Sequence, residues 1–147
     1  MRWLLTCFFI CCCSVAVAAE PVSRLVVIKN GIKTTIGSLS EYTDLDLLNK
    51  RRRAAGLRPL QPKPEMMRFA RNWSLNQAKR RSMYHSGGKY AENVACHSSG
   101  SAQRFDSMWH NSSGHRRNRM GSSWRYVGIG IVKGSNGVTY ATEVFSR

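Results

Sequence analysis

Apolar and polar positions change period several times along this chain, and each change predicts an element. Leu25-Val26-Val27-Ile28 and Ile32-Lys33-Thr34-Thr35-Ile36 are β-rich runs. Asn30-Gly31 lies between them and is a strong turn signal, so residues 20–40 are expected to hold an N-terminal β-hairpin and a connector. Leu45, Leu48 and Ala55 fall on one helical face, which predicts a first helix over Asp44–Ala55. Asp44 and Asp46 suit its positive end, and Gly56 suits its stop. Leu57 to Leu60 should be extended, because the residue before Pro59 avoids helix. Met66, Phe69, Ala70 and Trp73 form the stripe of a second, longer helix, from Pro64 to about Met83. That helix delivers Tyr84 and His85 at its C-terminal end. Gly87-Gly88 breaks the pattern, and Ala91 to Ala95 is too short to type. Ala102, Phe105 and Trp109 predict a third helix over 101–110, ended by Ser112-Ser113-Gly114; loop is expected from Arg119 to Ser123. Tyr126–Val132 and Val138–Phe145 read as two strands of an antiparallel hairpin around Gly134–Gly137. Gly128 and Gly130 alternate with Ile129 and Ile131. One face of that strand is therefore bare, which lets a helix or ligand come close.

A length of 147 residues, 42% apolar residues and four tryptophans fit one folded domain. The segment before residue 20 changes the picture. Arg2 precedes an uncharged, largely apolar stretch from Trp3 to Ala19, which ends in small residues. Residues 1–19 read as a signal peptide cleaved after Ala18 or Ala19, with an uncleaved anchor as the alternative. Secretion or export to the cell envelope or periplasm follows. Cleavage would remove four of the five cysteines. Cys96 is then alone, with no internal disulfide, and reads as a small buried hydrophobe rather than a reactive thiol. Without Arg2 the chain keeps 23 − 1 = 22 basic residues against 8 acidic ones, net +14. Such a charge favours anionic partners: an envelope polymer, a lipid or a membrane surface. The basic runs carry no aromatic-interleaved motif, so specific nucleic-acid recognition is not expected. A monomer is expected.

All four histidines lie between His85 and His115, together with Glu92. His85, His115 and Glu92 make a partial set of zinc or other divalent-metal ligands. They would serve equally as a general base with its orienting partners, or as a hydrogen-bonded brace. His97 and His110 read as bystanders, Asn93 as a backbone-bonding residue and Trp109 as core. Arg116, Arg117 and Arg119 would form an anion-attracting rim.

The order Leu48-Asn49, Arg52, Gly56-Leu57, Pro59-Leu60, Ala70, His85-Ser86, Glu92-Asn93-Val94-Ala95, Trp109, Ser112, Gly114-His115-Arg116-Arg117-Asn118, Val127-Gly128-Ile129-Gly130 and Tyr140, Glu143-Val144-Phe145 resembles the SCP-like extracellular domain of the CAP superfamily, in its compact bacterial form. The resemblance covers about residues 41–146 and sets the domain at 41–147. It implies an α+β fold, a three-layer α-β-α sandwich around an antiparallel sheet, to which the N-terminal β-hairpin is added. It also implies a cavity with two histidines and two acids, which binds divalent metal in some members. His85, Glu92 and His115 match three of these. The second acidic position is Ser112 here, and Glu143, where relatives usually have Gln, is the candidate substitute. Three functions follow as expectations: a binding module for a small ligand or a weakly bound metal, a protease-like metal-dependent hydrolase, or a basic surface protein that binds anionic envelope polymers, membranes or nucleic acid by charge. An enzyme is the less favoured reading.

Overall fold

A computed structural model describes residues 37–147 in full, together with the backbone of two strands, β1 (Leu25–Lys29) and β2 (Ile32–Ile36), which pair antiparallel. The expected signal peptide and the Asn30-Gly31 turn lie outside the described residues.

Helix α1 spans Leu39–Ala54. It begins at Leu39 rather than at Asp44, because Ser38 and Glu41 form a reciprocal capping box: the Ser38 hydroxyl accepts from Glu41 N, and the Glu41 carboxylate accepts from Ser38 N. Asp44 therefore sits inside the helix and points into the core. Chain then runs through β3 (Gln61–Pro62) into α2 (Pro64–Arg80), which Pro64 opens and Arg81 ends in a left-handed conformation at φ 52°. The untyped segment at Ala91 is strand β4 (Ala91–His97). Next come α3 (Ala102–Asn111), capped by Ser101, and α4 (Ser113–Arg119), which occupies a stretch expected to end a helix and enter a loop. The expected C-terminal hairpin is β5 (Tyr126–Lys133) with β6 (Thr139–Ser146).

The main sheet has the order β3-β5-β6-β4. β5–β6 and β6–β4 are antiparallel, and two-residue β3 adds in parallel to the start of β5. Beyond Val127 that edge of β5 loses its strand partner. Buried Glu41 covers it by accepting from Ile131 N, while also holding Arg71 of α2 at 2.7 Å. Helix α2 lies on one face, where Met66 and Ala70 pack on Val144. Gly128 and Gly130 make that approach possible: a Cβ on either would collide with the α2 backbone at Met66 or Ala70. Helices α1, α3 and α4 lie on the other face. There Leu45, Leu48, Val127, Ile129 and Phe145 form one apolar cluster, and Ala95, Phe105, Trp109 and Ala141 another. The layering is α-β-α as expected, with four helices instead of three.

Candidate functional site: an edge histidine pair and a buried charge cluster

The sequence-predicted site residues divide into two groups. The first lies at β4, an edge strand. His85, just past α2, places Nδ1 at 2.7 Å from Glu92 Oε1. The Ser86 backbone N donates to the same oxygen at 3.0 Å. With Nδ1–H donating to the carboxylate, His85 presents Nε2 to solvent on a ring that is 61% exposed. Glu92 Oε2 is buried and has no hydrogen-bond partner among the described residues. Successive strand residues face opposite ways, so Asn93 turns to the other layer. There its amide donates to His115 O at 3.2 Å and to Glu143 Oε2 at 3.0 Å. Asn118 locks α4 to β4 by donating to Asn93 Oδ1 and Glu92 O. His115 thus comes to the same strand edge from the opposite side. Burial pushes its imidazole below the ordinary value, and the charge of nearby His85 adds to that.

The second group is internal. Glu143, Asp44, Asp106 and Arg119 meet beneath β6, walled by α1, α3 and α4. Arg119 was expected at an anionic rim. It is instead fully buried, because its guanidinium reaches Asp106 Oδ1 at 2.9 Å, Glu143 Oε1 at 3.2 Å and Asp44 Oδ1 at 3.9 Å, with its charged plane over Trp109. Glu143 faces this cluster, and its link to the edge site runs through Asn93. Arg116 and Arg117 do stand exposed on α4, and Ser112 caps the junction of α3 and α4 half-buried, without a side-chain cap bond. His97 closes a turn by accepting from Ser99 N, His110 sits half-buried at the end of α3, and Cys96 is half-buried rather than core.

Three acids against one fully buried cation leave excess negative charge, and protonation relieves it. Burial, then the charge of Glu143, pushes Asp44 well above the usual carboxylate range. Burial also raises Glu143, against the pull of Arg119. Burial works to raise Asp106 too, but its hydrogen bond to Arg51 and the charge of Arg119 outweigh it and hold that group low. Folding thus favours the acid form of Asp44 over its carboxylate. A carboxyl raised by folding contributes stability below its unfolded value, about 3.9, and that contribution is lost as pH rises through the folded value. Melting curves from pH 5 to 9 should show wild type losing stability toward alkaline pH and Asp44→Asn much flatter. Parallel slopes would contradict a raised Asp44 carboxyl.

Arg52 is the one strongly buried cation here with no carboxylate. It donates to Arg58 O, to Gly121 O and, at 2.6 Å, to Arg119 O at the negative end of α4.

The residues that sequence reasoning missed are Asp44, Asp106 and Arg119. Five of the eight acids, Glu41, Asp44, Asp106, Glu143 and Glu92, are buried by the fold, and no spacing signal separates them from Asp46 and Glu65, which also fall in predicted helices. Each of those five side chains is at most 6% exposed. Among the described residues the exposed acids are Asp46 and Glu65. The surface is thus more cationic than the net charge states.

A three-layer sandwich with an edge-strand glutamate held by the histidine that follows α2, and a second histidine brought up by α4, defines an SCP-like domain. The chain belongs to the CAP, or cysteine-rich secretory protein, family, whose profile matches residues 45–145. Among solved structures, it is similar to an outer surface protein of Borrelia burgdorferi, at 13% identity over 72% of this chain and 90% of that one, TM-score 0.65. It is also similar to an SCP-domain extracellular protein of Bacillus anthracis, at 20% identity and TM-score 0.63, covering 72% of this chain but only 39% of that one. A hookworm platelet inhibitor shares the fold at 15% identity, over 72% and 68%, TM-score 0.52. No curated sequence relative matches. No helix among the described residues is long and apolar enough to cross a membrane.

Proposed function

We propose that the protein is an exported CAP-domain binding module whose edge site, His85, Glu92 and His115, holds a small ligand by hydrogen bonds. The observation that carries this reading is the unpartnered, buried Glu92 Oε2 beside an exposed imidazole. A buried acceptor without a donor costs about 1–3 kcal/mol, and a ligand donor would recover it. Export rests on the N-terminal segment and on the family.

The donor set argues against a resident metal. Among the described residues no three His, Cys, Asp or Glu side chains converge to hold one, and Glu92 Oε1 is already committed to His85 Nδ1 and Ser86 N. No hydroxyl or thiol hydrogen-bonds the His85 or His115 ring among those residues, so a hydrolase has neither its metal triad nor its activated nucleophile. Charge-driven binding of anionic surfaces is a second reading. It is favoured by the burial of the acids, which leaves the exterior cationic.

The test is a thermal-shift screen of zinc and small polar ligands on wild type and on His85→Ala/His115→Ala. A ligand at about a hundred times its Kd adds about 2.7 kcal/mol, which raises Tm by roughly 5 to 10 °C. The shift should appear in wild type and vanish in the variant. A zinc shift lost in the variant would restore the metal reading. Ligand shifts equal in both proteins would remove the edge site from binding.

A further inference from the structure

We infer that a second binding site, for an acidic saccharide, lies between α2 and the Ser86–Tyr90 loop. An open cleft of about 530 Å³ runs there, with Arg68, Phe69 and Asn72 on one wall and Gly88, Lys89 and Tyr90 on the other. It is separate from the edge site: none of His85, Glu92 or His115 lines it.

The lining suits a charged sugar. Phe69 and Tyr90 meet edge to face, with centroids 5.2 Å apart and planes at 69°. Because the rings touch each other, no slot remains between them for a planar base. Both rings line the cleft, where the C–H edges of a pyranose would pack on them beside Lys89, whose Nζ stands 5.5 Å from the Tyr90 centroid. Gly88 brings bare backbone onto this floor, and the turn that carries it is fixed by the bond from Gly88 N to the Ser86 hydroxyl. Asn72 is exposed one helical turn beyond Arg68, with an amide that can both donate to and accept from hydroxyls.

Charge supplies the second half of the recognition. Glu65, at one end, is engaged by Lys63 at 2.8 Å. Arg68 and Lys89 have no carboxylate partner among the described residues, so two cations flank the aromatic floor. Their place is filled by carboxylates or phosphates spaced along a chain. The cleft is open along its length and shallow, which suits a segment of a polymer better than an enclosed acyl chain.

Hexagalacturonate is the probe, measured by calorimetry with the purified protein at about 0.15 M salt, where long-range charge effects are screened. Cellohexaose controls for the sugar alone, and hexametaphosphate for the charge alone. Wild type should bind hexagalacturonate and bind both controls much more weakly. Arg68→Gln/Lys89→Gln should weaken it about tenfold or more. Lys50→Gln/Arg104→Gln removes the same charge from exposed positions in the opposite layer and should change it less than about threefold. His85→Ala/His115→Ala should leave it intact. Equal losses in the two charge variants, equal binding of hexametaphosphate, loss in the histidine variant or no binding of hexagalacturonate would each overturn the inference.

Discussion

Arg119→Met should destabilise the fold by about 3–5 kcal/mol, and adding Glu143→Gln should recover most of that loss. Removing one partner of a buried ion pair strands the other's charge, which is why the single change is costly. Here Arg119 is the fully buried cation that faces Glu143, Asp44 and Asp106 together. Asp106 would keep its bidentate bond to Arg51, with contacts of 2.6 to 3.0 Å. Glu143 would keep only its hydrogen bond from Asn93. Glutamine at 143 carries no charge and still accepts from Asn93. The double variant should unfold in urea within about 1 kcal/mol of wild type, as neutral replacements of buried pairs commonly do. A double variant as unstable as the sum of the singles would show that the cluster is held by packing and not by charge balance.

Gly130→Val should cost about 3 kcal/mol or more and loosen α2. The added Cβ would overlap the backbone between Ala70 and Arg71, and backbone, unlike a side-chain tip, yields only by moving the whole helix off the sheet. Gly128→Val meets the Met66 carbonyl in the same way. The helix is also what carries the chain to His85, so the damage should reach the edge site. Denaturation of Gly130→Val, followed with exchange at the Ser86 amide, checks both parts. A variant with wild-type stability would mean that α2 does not rest on this strand.

What was legible in the sequence follows from how each signal is written. Alternating Gly128 and Gly130 announced a close helix, and the Met66, Ala70, Phe105 and Trp109 spacings announced the faces that pack. The resemblance pointed to His85, Glu92 and His115; the contact of His85 with Glu92 and the bond from Asn93 to His115 O come from the fold. Helix α4 was not, because Ser112-Ser113-Gly114 reads as a stop. Its seven residues hold no apolar stripe, and they stay helical through tertiary ties: Asn118 to β4, Arg52 to its last carbonyls, and Arg119 into the core. Arg119 itself belongs to a run of arginines, where a solvated surface is the ordinary outcome. The Ser38–Glu41 capping box starts α1 upstream of Asp44, so Asp44 lies inside the helix and not at its dipole end. Its true role depends on three acids that only the fold brings together.

The proposed edge site needs His115 to share the surroundings of His85 and Glu92 at the β4 edge. NMR titration of the histidine rings, in wild type and in His85→Gln, tests this most directly. In wild type His115 should titrate below the ordinary imidazole value of about 6.5. Removing the neighbouring imidazolium should raise His115 partway back, leaving the part due to burial. A His115 curve unchanged by His85→Gln would place the two rings in separate environments and contradict the shared site.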